Sequence, residues 1–295
     1  MRGRQRFGRR RRVAFMRIRN CLVDPAARPL VMGVLNVTPD SFSDGGQFAD
    51  ADAAVRRACE MVEEGADIID VGPESTRPGS APIPAEVQIR RSVPVVRGLR
   101  ERDDRIAISI DTHVAAVADA ALAAGADMIN DTSALRDDEA MAEAAARTGV
   151  PVVLMHRRGT PRDMQAGGGP QYEDVIGEIC GFFRERTEFA ERRGIDRERI
   201  LLDPGVGFGK RVEHNLLILR ELHRFTELGP VVVGASRKRF LGSILGIEDP
   251  VQRGAGSLAC AAIATLAGAA VIRAHDVRAT VECVRTCVAV RSARA

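Results

Sequence analysis

The most constraining feature of this chain is a regular alternation of short apolar runs with longer segments in which apolar residues recur every three to four positions. This pattern predicts strand–helix units around a parallel sheet, because such strands are buried on both faces and each helix buries one stripe. The predicted strands number eight: Leu30–Leu35, Ile68–Val71, Ile106–Ile110, Met128–Ile129, Val150–Met155, Ile200–Leu202, Val231–Val233 and Val271–Ile272.

A six-residue repeat supports the strand count. Gly65–Asp70 recurs as Gly125–Asn130 and, more loosely, as Gly268–Arg273. Each copy is typical of a helix that stops at glycine, followed by a short turn, a buried strand and a polar residue. Eight such units in 295 residues predict an α/β fold, a single-domain (β/α)8 TIM barrel. A doubly wound open sheet is the alternative.

Polar side chains follow the predicted strands at the point where each strand ends. Active sites of (β/α)8 barrels are built at that face, so these side chains are expected to form a site. In chain order they are Asn36, Glu74 to Arg77, Asp111, Asn130, Asp131, His156, Asp203, Ser236, Lys238, Arg273 and His275.

The positive charge of the chain is concentrated at its start. Lys+Arg number 43 and Asp+Glu 40, a formal net charge of +3. Residues 1–19 contain nine arginines and no acid, so residues 20–295 carry 34 basic and 40 acidic side chains, a net charge of −6. We predict a disordered arginine-rich leader, 1–19, before a barrel domain, 20–295, that does not bind nucleic acid. A leader that binds RNA or directs targeting is the alternative.

The rest of the composition points to a cytoplasmic protein. No apolar run approaches the ~18 residues of a membrane span, and no apolar segment of a secretory signal follows the arginines. The six cysteines are scattered through apolar contexts without a CxxC pair, which is typical of buried, reduced thiols. The expected partners are therefore small molecules, not a membrane.

Two sets of strand-end residues suggest ligand chemistry. Ser75–Gly79, Arg273 and His275 suit a phosphate or diphosphate, because a guanidinium binds phosphate oxygens bidentately; isolated surface salt bridges are the alternative. A second set suits a planar heterocycle with an N–C–N edge and a carbonyl, or else a buried ion pair that only holds the barrel mouth. Its members are Asp111, Asn130, Asp203 and Lys238.

Only two of the 43 basic residues are lysines, Lys210 and Lys238, so both positions need an explanation. Lys210 ends the segment Gly205–Lys210, which lacks the pattern of a phosphate-binding P-loop and is typical of a flexible strand-to-helix loop with Phe208 as an apolar wall. No His/Cys/Asp cluster has zinc spacing. Asn36 is predicted to give one oxygen to a Mg²⁺ held mainly by substrate phosphates.

Eight motifs in order resemble the dihydropteroate synthase family between Leu30 and His275. They are GVLNVTPDSFSDGG (33–46), DVGPESTRPG (70–79), ISIDT (108–112), INDTSAL (129–135), VVLMHRRGTPRDMQ (152–165), ILLDPGVGFGK (200–210), GASRKRFLG (234–242) and IRAHDV (272–277). The resemblance implies a (β/α)8 barrel enzyme of folate biosynthesis. It would join 4-aminobenzoate to a hydroxymethyl-dihydropterin diphosphate, with loss of diphosphate and attack by the arylamine.

The resemblance also implies a role for each matching residue. Asp111, Asn130, Asp203 and Lys238 would hold the pterin ring, with Met155 against its face. Asn36 would contact Mg²⁺ and the diphosphate, which Arg77, Arg273 and His275 would grip. Phe42, Thr76, Pro78, Phe208 and Ser236 would shape the aminobenzoate pocket, where sulfonamides would compete. The catalytic residues would be Asp111, Asp203, Lys238, Arg273 and His275.

Two departures from the family pattern are visible, Pro73 in place of a glycine and Arg157 where methionine is usual. The alternatives are a pterin-binding methyltransferase domain, which the motifs Ser75–Gly79 and Ser236–Lys238 disfavour, and a non-catalytic paralogue, which no lost residue supports. The family is usually dimeric. A C-terminal apolar stripe fits either a homodimer interface or packing on the barrel: Val277, Val281, Val284 and Val288.

Overall fold

The structure is a computed structural model that describes residues 16–24, 27–38, 46–74, 82–159 and 170–293, with residues 46–50 described by their backbone only. Of the predicted site residues, Phe42 and the whole segment 75–79, with Ser75, Thr76, Arg77 and Pro78, lie outside these ranges. The other predicted site residues are described.

Eight parallel strands form the barrel, preceded by a small antiparallel hairpin of β1 and β2. The sheet order is β8-β7-β6-β5-β4-β3-β10-β9. The ring is closed between β8 and β9, where the amide of Leu202 donates to the carbonyl of Pro230 at 2.9 Å and Leu202 bridges Val231. The bounds are β1 Met16–Ile18, β2 Cys21–Val23, β3 Leu30–Asn36, β4 Ile68–Gly72, β5 Ala107–Asp111, β6 Met128–Asp131, β7 Val152–Met155, β8 Ile200–Asp203, β9 Val232–Val233 and β10 Val271–Ala274.

Helices surround the barrel, so the predicted α/β fold, a (β/α)8 barrel, is confirmed and the open sheet is not formed. Their bounds are α1 Gly46–Glu63, α2 Ala85–Arg102, α3 Ala115–Ala123, α4 Ala140–Thr148, α5 Val175–Arg192, α6 Val212–Arg220, α7 His223–Thr226, α8 Arg239–Leu245, α9 Gly254–Leu266 and α10 Val277–Ser292. Short 3₁₀ helices occupy Arg197–Arg199 and Pro250–Arg253.

The six-residue repeat has a physical basis at the amino ends of the strands. Asp67, before β4, accepts the backbone N–H of Val31 on neighbouring β3 at 2.8 Å. Asp127, before β6, accepts the backbone N–H of Ile108 on β5 at 2.9 Å. In the looser third copy the equivalent residue is Ala270, which has no side-chain acceptor. Its backbone carbonyl accepts the N–H of Leu30 on β3 at 2.9 Å. The repeated aspartates thus satisfy donors that the sheet leaves unpaired at this end.

The floor of the barrel is sealed by the hairpin. Met16, Ile18 and Val23 are buried in one cluster with the first residues of barrel strands, such as Leu30 and Ile68. Of the predicted leader, 1–19, residues 16–18 therefore form part of the packed structure, and residues 1–15 lie outside the described ranges.

The C-terminal helix α10 packs on the barrel through its apolar stripe. The sequence allowed this stripe to be either a homodimer interface or a surface packed on the barrel. Val277, Val281 and Val284 are buried in the main core, and Val288 is half-buried against it. The stripe is therefore not available as a homodimer interface.

The structure also bears on whether a helix could span a membrane and on the reactivity of the cysteine thiols. No helix among the described residues is long and apolar enough to cross a membrane. All six cysteines are described and are free thiols, with Cys180 and Cys260 buried. Burial raises the pKa of both thiols, to about 11 for Cys260, so neither has the character of a reactive thiolate.

Candidate active site

Arg273, at the end of β10, links three polar side chains from other strands. Its Nε donates to Asp70 Oδ2 and its Nη2 to Asp111 Oδ2, both at 2.7 Å. Asn130 on β6 donates through Nδ2 to the same oxygen of Asp70 at 3.0 Å. Four strands therefore contribute to one hydrogen-bonded group at the carboxyl end of the barrel, where barrel enzymes place their sites.

The two aspartates of this group keep acceptor capacity that the protein does not use. Asp70 Oδ1 and Asp111 Oδ1 are both buried and, among the described residues, receive no hydrogen bond. Burial raises the pKa of Asp111, and Arg273 pulls it in the opposite direction. Burial lowers the pKa of Arg273, but the negative charges of Asp70 and Asp111 raise it by more, so the guanidinium stays charged. A ligand that donates N–H groups would satisfy both oxygens.

Asp203 and Lys238 lie beside this group and influence each other electrostatically. Asp203 Oδ1 accepts the backbone N–H of Gly205 at 2.7 Å. Lys238 Nζ donates to the carbonyl of Val206 and lies 4.4 Å from the centroid of the Phe208 ring. Burial lowers the pKa of Lys238 to about 8, against the opposing effect of Asp203. Burial raises the pKa of Asp203, whereas the positive charge of Lys238 lowers it by a smaller amount.

The glycine loop after β8 is held by the second lysine. Lys210 is buried, and its Nζ donates to the carbonyls of Phe208 at 3.0 Å and His156 at 3.2 Å and lies 3.0 Å from His156 Nδ1. The amide of Gly207 also donates to the side chain of Asn215 at 2.7 Å. Lys210 and Asn215 therefore hold the backbone that presents Phe208, a support that the glycine-rich sequence alone did not indicate.

Glycine is required at position 205 of this loop. Gly205 has a φ of +64°, and a Cβ there would lie 1.9 Å from the carbonyl oxygen of His156. Burial lowers the pKa of His156 and of Lys210 well below their ordinary values. His156, one of the predicted rim residues, thus supports the loop and is not joined to the Arg273 group.

Ser236 and His275 are brought together after β9 and β10. The backbone N–H of His275 donates to Ser236 Oγ at 3.3 Å, and the ring Nδ1 lies 3.1 Å from the same atom. The hydroxyl therefore fixes the imidazole at the edge of the site. Arg237 between the strand and Lys238 has a φ of +59° and pairs with Asp276, which ties the two loops to each other.

Asn36 and Met155 complete the described part of the site. Asn36 ends β3, and Gly72 separates it from Asp111: a Cβ at Gly72 would lie 3.6 Å from Asn36 Oδ1 and 3.8 Å from Asp111 Oδ2. Met155 ends β7, is 3% exposed, and is in register with Asp203 on β8. The described residues to which the sequence assigned site roles all lie at or after the carboxyl ends of the barrel strands.

Sequence reasoning missed Asp70, which is fully buried and accepts from both Arg273 and Asn130. A signal was present in the repeat, since Asp70 occupies the position that Asn130 holds in the second copy. It also missed the role of His113, which lies between two carboxylates at 3.1 and 3.4 Å. No periodic pattern marks that residue.

The family model described as "Pterin binding enzyme" matches residues 32–275, which include the described group around Arg273. This chain belongs to the pterin-binding enzyme family. Within that family it is 46% identical over 269 residues to the dihydropteroate synthase of Escherichia coli (strain K12), and the match covers 91% of this chain and 94% of the relative.

Solved structures of dihydropteroate synthases have the same fold. The Yersinia pestis enzyme, in a sulfonamide drug complex, has a TM-score of 0.88 and 44% identity, and the match covers 95% of this chain and 100% of that chain. The Xanthomonas albilineans enzyme with 4-aminobenzoic acid has a TM-score of 0.85 and 45% identity, covering 93% and 96%. The chain is accordingly a pterin-transferring enzyme of folate synthesis, with the activity of the dihydropteroate synthases.

Proposed function

We propose that the group around Arg273 binds the dihydropterin ring of the substrate. The unused acceptors Asp70 Oδ1 and Asp111 Oδ1 support this most directly, because the N–C–N edge of a pterin carries N–H donors. Lys238 is assigned to a ring acceptor, as a compact ammonium suits a single oxygen or nitrogen. Asp203, Asn130 and Met155 are assigned to the remaining ring contacts: two further hydrogen-bond partners and one apolar face.

The diphosphate is assigned to Arg273, His275 and the undescribed Arg77. In the reaction, the C–O bond between the pterin methylene and the diphosphate breaks, and the electron pair leaves with the diphosphate. Arg273 and His275 stabilise that developing negative charge, while the carboxylates of Asp111 and Asp203 favour the developing pterin methylene cation. Because Arg273 contacts Asp111 at 2.7 Å, one guanidinium connects the leaving group with the ring.

The arylamine of 4-aminobenzoate then forms the new C–N bond and releases a proton. Its pocket is assigned to Phe42, Thr76, Pro78, Phe208 and Ser236. Among these, Phe208 is fixed beside Lys238, and Ser236 beside His275, so two walls of the pocket adjoin the proposed ring and diphosphate subsites. A sulfonamide, which shares the aniline shape, would compete there.

The residues of the site also fit a Mg²⁺ bound together with the substrate. Asn36 offers a half-buried amide oxygen beside the bare Gly72, and such an oxygen is a preferred type of ligand for Mg²⁺. No cluster of three or more His, Cys, Asp or Glu side chains with metal-binding geometry is found in the described ranges. Substrate phosphates would therefore supply most of the ligands. When bound, the ion would neutralise charge on the diphosphate.

We also propose that the enzyme is a homodimer through a different face from the one the sequence suggested. Large apolar side chains are exposed on adjoining elements of one side of the barrel: Leu216 on α6, Ile244 and Leu245 on α8, Val251 on a 3₁₀ helix, and Ile263 and Leu266 on α9. An exposed apolar patch of this kind is typical of an interface. Sedimentation equilibrium of Ile263→Glu should show monomers, with Leu22→Glu, on the hairpin under the barrel floor, as the dimeric control.

Two further assignments remain proposals. The free thiols support a reducing, cytoplasmic location. We propose that the chain consists of an arginine-rich leader, 1–19, and a catalytic barrel, 20–295. Residues 16–18 of the leader form β1.

The ring-binding assignment is tested by calorimetric titration with a free hydroxymethylpterin, which lacks the diphosphate. Asp111→Asn should weaken binding at least tenfold, about 1.4 kcal/mol, because one acceptor becomes a donor. Asp119→Asn, a similar change on the exposed face of α3, serves as the control. Unchanged affinity in a folded Asp111→Asn enzyme would remove the assignment.

A further inference from the structure

Tyr172, which lies shortly before α5, contacts the glycine loop that follows β8. Its Oη donates to the backbone carbonyl of Gly209 at 2.9 Å, across 37 positions of the chain. Tyr172 is the only tyrosine in the sequence, which contains no tryptophan. The ring-binding and diphosphate-binding roles proposed above do not use this residue, so its contact with the loop needs its own explanation.

The backbone on both sides of Phe208 is glycine with a positive φ, +86° at Gly207 and +61° at Gly209. A Cβ at Gly209 would lie 2.1 Å from the carbonyl oxygen of Arg158, so the loop lies directly against the backbone that follows β7. Glycine can adopt many backbone conformations, and these two residues therefore do not by themselves set the direction of the Phe208 side chain. That direction depends on the hydrogen bonds that the neighbouring peptide groups make.

Three side chains hydrogen-bond to the peptide groups around Phe208. The bonds join Asn215 Oδ1 to the Gly207 amide at 2.7 Å, Lys210 Nζ to the Phe208 carbonyl at 3.0 Å, and Tyr172 Oη to the Gly209 carbonyl at 2.9 Å. Asn215 and Lys210 belong to the loop itself or to α6, which follows it. Tyr172 comes from the segment before α5, so its hydroxyl joins the loop to a different element of the barrel.

The Tyr172 ring is itself held in place. The guanidinium carbon of Arg158 lies 4.1 Å from the ring centroid, and the His214 ring packs edge-on at 4.9 Å. His214 in turn accepts the backbone N–H of Arg211 through Nδ1 at 3.2 Å, at the start of α6. Burial raises the pKa of Tyr172 to about 12, so the hydroxyl keeps its proton and remains a donor at neutral pH. The Gly209 carbonyl is therefore bound by a donor whose own position is fixed.

We propose that Tyr172 is a positioning residue: its hydroxyl fixes the Gly209 carbonyl and thereby holds the Phe208 ring beside Lys238 as a wall for 4-aminobenzoate. The Phe208 centroid lies 4.4 Å from Lys238 Nζ in this arrangement. The inference rests on the role proposed above for Phe208 and on no other residue of that pocket. Without the hydroxyl, the Phe208 ring adopts more than one orientation and affinity for 4-aminobenzoate falls. The chemical step at the pterin methylene is changed little.

Kinetics and amide exchange of a Tyr172→Phe variant, which loses only the hydroxyl and keeps the ring, test this inference. The Michaelis constant for 4-aminobenzoate should rise about three- to tenfold, while kcat and affinity for a free hydroxymethylpterin stay within about twofold of the wild type. The Phe208 amide donates to the carbonyl of Gly205 at 3.0 Å, and its hydrogen exchange should accelerate by at least about threefold. Thr148→Val is the matched control and should change none of these quantities, because it removes a hydroxyl that donates to a carbonyl at the far end of α4.

Phe208→Ala separates this inference from the proposed function. If Phe208→Ala leaves the Michaelis constant for 4-aminobenzoate unchanged, the assignment of Phe208 fails and the role of Tyr172 falls with it. If Phe208→Ala raises the constant and Tyr172→Phe does not, the assignment stands and Tyr172 is not its positioning residue. In the Phe208→Ala background, adding Tyr172→Phe should raise the constant by less than about twofold, because the hydroxyl acts through the ring. An equal effect in both backgrounds, or unchanged exchange at the Phe208 amide, would overturn the inference.

The wild-type enzyme provides a second route if Tyr172→Phe fails to fold. Incorporation of 3-fluorotyrosine places a single fluorine label in the chain, since Tyr172 is its only tyrosine. The fluorine resonance should shift when 7,8-dihydropteroate binds, because that ligand carries the aminobenzoate ring, and should shift much less with a free hydroxymethylpterin. Equal shifts with the two ligands, or no shift with either, would show that Tyr172 does not respond to the aminobenzoate wall and would overturn the inference.

Discussion

Arg273 Nη2 donates a 2.7 Å hydrogen bond to Asp111 Oδ2, although the two residues are 162 positions apart in the chain. The barrel makes this contact possible because the carboxyl ends of β5 and β10 meet at one rim. The pair joins the proposed diphosphate and pterin subsites through one guanidinium. The proposed catalytic role and the fold therefore depend on the same contact, and the first prediction concerns its removal.

Arg273→Ala should lower both stability and turnover. The substitution leaves Asp70 and Asp111 buried without their cation, which should cost about 3–5 kcal/mol in the free energy of unfolding. Adding Asp70→Asn removes one of the two carboxylates and should restore part of that loss, while kcat/KM stays at least about a hundredfold low. Urea unfolding and steady-state kinetics of the single and double variants measure this. A single variant as stable as the wild type would contradict the buried ion-pair account.

Asp70→Asn alone should weaken pterin binding, although the sequence motifs did not single out this residue. The change replaces an oxygen that accepts from Arg273 and Asn130, so both side chains lose a partner. We expect a tenfold loss of affinity for a free hydroxymethylpterin, about 1.4 kcal/mol, measured by calorimetry. Equal affinities in the variant and the wild type would show that Asp70 only supports the fold.

The pH dependence of kcat/KM for the pterin diphosphate should show an alkaline limb. Burial lowers the pKa of Lys238 to about 8, so its ammonium is lost as the pH rises through that value. Because kcat/KM reports the free enzyme, the limb should appear near pH 8. Lys238→Arg should lower kcat/KM overall but abolish the limb, since a guanidinium keeps its proton. An unchanged limb in this variant would assign the titration to another group.

The stability contribution of His113 should fall as the pH rises. Its pKa is raised in the folded protein to about 10 from an ordinary 6.5, so the folded state binds the proton more tightly. The stabilisation is therefore complete below about pH 6.5 and is lost as the pH approaches 10. The groups that face the ring are Glu74 and Asp137, with Asp111, Asp131 and Arg157 farther away. The difference in unfolding free energy between wild type and His113→Gln should shrink across this range, and a constant difference would be inconsistent with titration.

Removal of the first fifteen residues should leave activity unchanged, whereas substitution in the hairpin should lower stability. A chain that starts at Met16 should keep wild-type activity, because the family match begins at residue 32 and this chain keeps the hairpin that packs under the barrel. Ile18→Ala should cost about 2–5 kcal/mol in unfolding free energy, because Ile18 is 1% exposed under the barrel floor. Steady-state kinetics of the shortened chain and urea unfolding of Ile18→Ala check the two expectations. Retention of RNA that disappears in the chain starting at Met16 would favour the alternative of an RNA-binding leader.

The sequence predicted the barrel well because its signals are local. Each strand is a short apolar run, and the repeat places Asp67 and Asp127 where they satisfy neighbouring strands. The strand ends differ from the predicted ones by one or two residues, as at β8, where Asp203 still belongs to the strand. Since parallel strands align their carboxyl ends, residues such as Asp111 and Lys238 could be assigned to one rim without knowledge of the structure.

The remaining features depend on contacts between distant loops, which leave no periodic pattern. His113 and Arg157 are separated from Asp137 by about two dozen and twenty positions, and nothing in their spacing predicts an ion-pair chain. The role of Lys210 as the support of the glycine loop also depends on burial against His156, which follows the neighbouring strand β7 but lies 54 positions earlier in the chain. Such contacts became visible only once the fold was known.

The central claim is that the strand-end residues catalyse the dihydropteroate synthase reaction. The most direct measurement is formation of 7,8-dihydropteroate and diphosphate from 4-aminobenzoate and the pterin diphosphate with Mg²⁺, by the wild type and by Asp111→Asn. The account predicts product formation by the wild type and a loss of at least about a hundredfold in kcat/KM for Asp111→Asn. It would be contradicted by a folded wild-type enzyme that forms no dihydropteroate, or by an Asp111→Asn variant with full activity.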